Sequence, residues 1–107
     1  MSNVRTGDML ERRTVAALVA AGYRAERVSR RGRNSGGDLF GCADLVAVCP
    51  AGAVELIQVT TKGSRSARRR KIRAARLSCP VRLIYWFKNG TRWAWLSEVV
   101  EGSDGGS

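Results

Sequence analysis

The sequence predicts an α/β domain in which a mixed five-stranded sheet is flanked by helices, in the order αβββαββ. Three observations carry this expectation. An Ala/Leu-rich helical run comes first, apolar runs bounded by glycine and proline follow as strands, and a strongly basic helical stretch separates the third strand from the fourth.

Each element has its own local signal. Residues Asp8 to Ala21 read as a helix with Thr6 as N-cap and Gly22 as stop. Tyr23 to Ser29 alternates weakly as a first strand, and Arg30 to Gly41 is a glycine-rich loop carrying Arg30, Arg31 and Arg33. Asp44 to Cys49 is apolar, Pro50 to Ala53 is a turn, and Val54 to Thr60 returns, so this pair forms a hairpin. Ser66 caps a helix through Leu77, which Pro80 terminates. Val81 to Phe87 is a strand, Asn89-Gly90 is a hairpin turn, Arg92 to Leu96 pairs back, and Ser97 caps a last helical turn near Glu101. Residues 1–101 form one domain and 102–107 read as a disordered tail.

Composition bounds the function. The chain has 107 residues, 44% of them hydrophobic, enough for one modest core. Nineteen Lys and Arg against nine Asp and Glu give net charge +10, which points to a polyanionic partner, nucleic acid first. There is no histidine. That excludes Ser-His and Cys-His nucleophile pairs, His-ligated zinc and imidazole-activated water. Cys42, Cys49 and Cys79 lack CxxC spacing and read as reduced thiols of a cytoplasmic protein. No stretch has the length of a membrane span, and no leader segment is expected.

Three polar side chains sit where apolar ones are expected. On a helical wheel Glu11 falls between Val15 and Leu18, on the face that meets the sheet, and needs either a metal or one of the many arginines. Asp44 opens an apolar strand straight after a loop, as a turn-former or as a rigidly held ligand. Gln58 lies within Leu56-Ile57-Gln58-Val59, and alternation carries its face on to Thr60 and Lys62. If the hairpin sets Asp44 beside Gln58, an oxygen-rich site forms with an ammonium close by. Mg²⁺ asks for little more than one or two carboxylates, a neutral oxygen and waters. Arg65, Arg68, Arg69, Arg70, Lys71, Arg73 and Arg76 crowd the second helix without an acid among them, a repulsion that a phosphate backbone would relieve. Trp86, Trp93 and Trp95 read as cross-strand core pairs or as stacking platforms for bases.

In this order the residues resemble the archaeal-type Holliday junction resolvases, within the PD-(D/E)XK nuclease superfamily. The likeness runs over roughly residues 5 to 75. It lies in Gly7-Asp8-Met9-Leu10-Glu11, the loop Arg30-Arg31-Gly32-Arg33-Asn34-Ser35-Gly36-Gly37, Ala43-Asp44-Leu45-Val46-Ala47-Val48, and Leu56-Ile57-Gln58-Val59-Thr60-Thr61-Lys62. The resemblance implies a restriction-endonuclease-like fold and a homodimer that cuts four-way DNA junctions with Mg²⁺, for which Mn²⁺ substitutes. It implies that Glu11, Asp44 and Gln58 hold the metal and its waters, and that Ser35 lies near the scissile phosphate. The third motif departs from Glu-x-Lys, with Gln58 in the first place and Thr60 in the lysine place. Lys62, or Lys71 on the next helix, would then supply the ammonium. DNA contacts fall to Arg30, Arg31, Arg33, Arg65, Arg68, Arg69, Arg70 and Lys71. Two rivals keep the fold and the charge: a DNA-binding module whose site has decayed, and an RNA-binding accessory protein.

Overall fold

The computed structural model of the chain describes residues 2–28 and 39–101, with side chains from residue 6 onward. Ser29, Arg30, Arg31, Arg33, Ser35 and Asp38, together with the tail 102–107, lie outside the described residues. An α-helix, α1 (Ser2–Ala20), precedes strands β1 (Arg24–Arg27), β2 (Leu45–Val48) and β3 (Val54–Thr61). A 3-10 turn (Lys62–Ser64) leads into α2 (Arg65–Ala74), followed by β4 (Val81–Asn89) and β5 (Arg92–Val100).

The five strands form one sheet in the order β1-β2-β3-β4-β5. All neighbours are antiparallel except β3 and β4, which run parallel from Leu56 opposite Val81 to Thr61 opposite Trp86. A parallel pair needs a crossover of a dozen residues or more, which the segment holding α2 supplies. The sheet is mixed and helices cover both its faces. Leu10 and Leu18 of α1 pack with Leu45, Ile57, Val59, Ile84 and Trp86. Ile72 of α2 packs with Cys42, Val81, Leu83, Tyr85 and Val100. Alternation along each strand explains the division: Ile57 and Val59 face α1, while Leu56 faces α2.

Several expected boundaries move. Helix α1 starts at Ser2 rather than Asp8, so Thr6 lies inside the helix and caps nothing; Gly7 weakens a helix without breaking it. Gly22 does stop it, at φ +96°, with its N–H on Val19 O. Helix α2 ends at Ala74 rather than Leu77, and Pro80 is not its terminator. Arg76 turns the chain in the left-handed region (φ +53°), which lets Leu77 join the cluster under α2 before β4 begins. The helical turn expected at Ser97 is absent, because β5 continues to Val100. Val100 is buried against α2, the Ser97 hydroxyl accepts from Arg82, and Glu98 pairs with Arg69. Three side-chain anchors at strand spacing outweigh one capping serine. Among the described residues no helix is long and apolar enough to cross a membrane.

Candidate functional site

At the N-terminal end of β2 the hairpin brings Asp44 against β3. The backbone N–H of Asp44 donates to Ile57 O (2.7 Å), and its carboxylate Oδ2 accepts from the Val59 N–H (2.9 Å). The carboxylate thus takes over the role of a strand carbonyl where regular β2–β3 pairing begins. The Gln58 amide Nε2 donates to the same Oδ2 at 2.5 Å. Asp44 is 6% exposed and Gln58 1%. Gln58 lies opposite Leu83 of β4, on the α2 side of the sheet, and Thr60 follows it on that side.

One atom of this pair is unsatisfied. Gln58 Oε1 is fully buried and has no hydrogen-bond partner among the described residues. A buried amide oxygen without a donor costs about 1–3 kcal/mol, so it calls for an explanation. The amide direction is fixed by its neighbour, since turning it over would set an oxygen against an oxygen of Asp44. A cation held by this pair would reverse that preference, since the amide oxygen would then serve as a ligand alongside the carboxylate. The donor set, one carboxylate and one amide oxygen completed by waters, suits a hard divalent ion. Among the described residues no three His, Cys, Asp or Glu side chains cluster as a metal group, so a cation here rests on this pair.

The third expected ligand, Glu11, has an arginine among its partners. Glu11 is 7% exposed, as its place on the helix wheel requires. Its partner is Arg27 of β1, whose Nε donates to Glu11 Oε1 at 3.1 Å and whose second nitrogen lies 3.0 Å from the same oxygen. Arg27 also donates to Asp8 Oδ1 at 2.6 Å, and Asp8 in turn meets Arg12 at 3.1 Å. Partial burial lowers the Arg27 pKa, but its bonds to Asp8 and Glu11 outweigh that effect and raise it overall. Glu11 therefore anchors α1 to β1 through an arginine. Among the described residues the arginine expected in general terms is Arg27, which weak strand alternation did not single out.

Lys62 lies just beyond the strand that carries Gln58 and Thr60. β3 ends at Thr61, Lys62 opens the 3-10 turn, and its exposed ammonium lies 5.4 Å from the Phe87 ring centroid. The basic helix is also less uniform than its sequence. Arg69 is bound in a fork to Glu98 of β5 (2.5 and 3.0 Å), which ties α2 to the sheet edge. The hydrogen bond from Arg69 is the main cause that holds the Glu98 carboxyl below its ordinary pKa. The Arg65 guanidinium lies over Tyr85 at 4.9 Å, and its buried Nε lacks an acceptor among the described residues. Arg68 lines a cleft with Thr60, Thr61 and Ser64, Lys71 is half-buried, and Arg70 is exposed.

Thr14, one helical turn beyond Glu11 on α1, was legible only as a neighbour of that face. Its hydroxyl donates to Leu10 O (2.7 Å) and accepts from the Trp86 indole N–H (2.9 Å), so it pins α1 to β4. Trp86 meets Trp95 at 6.1 Å with the rings tilted by 43°, a core and cross-strand arrangement. Comparison with known proteins gives no match: neither a family model, nor a curated protein, nor a solved structure is significantly similar to this chain.

Proposed function

We propose that this protein is a Mg²⁺-dependent endonuclease of branched DNA, with a restriction-endonuclease-like fold. The single observation that supports the reading most is the buried Asp44–Gln58 pair, whose amide oxygen has no donor among the described residues, beside a helix of net positive charge. Asp44 and Gln58 would hold the cation. When bound, it would polarise a phosphate and lower the pKa of a coordinated water. The chain's own residues do the rest. Val59 N–H fixes the Asp44 carboxylate, the sheet keeps the pair rigid, and Arg68 and Arg70 offer guanidinium groups to phosphates. The loop bearing Arg30, Arg31, Arg33 and Ser35 would add further contacts, and a homodimer would supply paired cuts on a symmetric junction.

A second reading is a DNA-binding module that no longer cuts. Two observations favour it: threonine stands where the superfamily places its lysine, and the nearest lysine in the chain, Lys62, lies over Phe87. A labelled four-way junction separates the two. The nuclease reading expects cleavage with Mg²⁺ or Mn²⁺, none with a chelator, and loss in Asp44→Asn. Tight binding without cleavage under every cation condition would overturn it in favour of the module.

A further inference from the structure

A cleft of about 280 Å³ lies between α1 and the junction of β3 with α2, lined by Thr6, Gly7, Thr60, Thr61, Ser64 and Arg68. Its polar lining is four hydroxyls and one guanidinium, with no carboxylate. Thr60 is 7% exposed, and its hydroxyl finds no hydrogen-bond partner among the described residues. Ser64 is the N-cap of α2 but makes no side-chain capping bond, so its hydroxyl is not engaged in closing the helix. Arg68 belongs to the second turn of that ten-residue helix and has no carboxylate partner among the described residues. A Cβ added at Gly7 would meet no protein atom within 4 Å, so packing does not demand a glycine there. Unpartnered donors converge on one polar space, near the positive end of a helix dipole.

We propose that this cleft binds a phosphate group, and that in the working protein the group is a phosphodiester of a nucleic-acid strand. Arg68 supplies the charge, and Thr60 and Ser64 supply hydroxyl donors. Gly7 keeps the wall open. Only the identity of the strand as carrier rests on the nucleic-acid reading above; the oxyanion site itself stands on the cleft.

Amide NMR on the full chain, titrated with inorganic phosphate, is the test. Saturable shifts at Gly7, Thr60, Thr61 and Ser64 are expected. Thr60→Val and Arg68→Gln should each weaken binding roughly tenfold, the value of one charge-assisted hydrogen bond, and Thr60→Ser should restore it. Gly7→Ala should weaken binding while thermal stability holds or rises, because alanine is the better helix former. Shifts that spread over the exposed Arg70 and Arg73 without saturating, or binding unchanged in Gly7→Ala, would overturn the site. A second arm measures binding of a labelled four-way junction against salt. Arg68→Gln should reduce the slope of log K on log salt by about 0.9. An unchanged slope beside intact phosphate binding would mean a free phosphate or nucleotide site, overturning the strand assignment. Cleavage is scored separately, so a protein that binds phosphate here but cuts nothing loses the nuclease reading and keeps this one.

Discussion

Glu11 and Asp44 are buried to nearly the same degree, but different kinds of partner meet them among the described residues. Glu11 meets a guanidinium, which supplies a full opposite charge and several donors at once. Asp44 has a backbone N–H and a neutral amide among its partners, and the amide's own oxygen has no donor among the described residues. A charge-paired carboxylate contributes to the fold and offers little to a ligand. Beside Asp44 lies the Gln58 amide oxygen, a second oxygen atom that the proposed cation would need. The contrast separates the two acids by their partners rather than by burial.

The largest expected effect tests that separation directly. Asp44→Asn should lower Mg²⁺-dependent junction cleavage about thousandfold, roughly 4 kcal/mol of barrier, whereas Glu11→Gln should cost far less. Equal losses in a single-turnover assay would break the distinction and return Glu11 to the ligand set. Next in size is Arg27→Met, which strips Glu11 and Asp8 of their shared partner. It should destabilise the fold by about 2 kcal/mol in urea unfolding. Thr14→Val should cost about 1–2 kcal/mol by the same measurement, since it leaves the Trp86 indole N–H buried without an acceptor.

The α2–β5 tie sharpens the same point under acid. The bond from Arg69 depresses the Glu98 pKa in the folded state. Its contribution is therefore present above the unfolded carboxyl value, and is lost as pH falls through the lower folded one. Unfolding curves of the wild type and Glu98→Gln should differ near neutral pH and converge in acid; a constant gap would mean that the contact is not ionic. The smallest effect is expected at Arg76, whose left-handed conformation suits glycine. Arg76→Gly should raise stability by about 0.5–1 kcal/mol in thermal unfolding.

Much of this architecture was legible because period and punctuation agree along the chain. Pro50 to Ala53 and Asn89-Gly90 mark two hairpins that the register reproduces, and Glu11 lies on the buried helix face that its wheel position required. Asp44 and Gln58 do meet, because antiparallel pairing of Leu45 with Ile57 leaves them as the next pair along. What was not legible depended on tertiary choices. Arg27 reaches Glu11 because β1 pairs beside β2 and under α1. Lys62 falls outside β3 because the chain must turn at Thr61 to begin α2. Ser97 could cap a helix locally, but Val100 and Glu98 gain more by extending β5 along β4. The fork between Arg69 and Glu98 spans 29 positions and carries no local signature.

All three tryptophans of the chain stand in the β4–β5 hairpin, and one of them is fastened to α1 by its indole N–H. The 72 positions between Thr14 and Trp86 are thereby joined at a chromophore. Intrinsic fluorescence from this ribbon consequently acts as a built-in gauge of helix seating. If α1 lifts from the sheet, Trp86 exchanges a hydroxyl partner for water and its emission moves to longer wavelength, with no label attached and while the strands themselves stay paired.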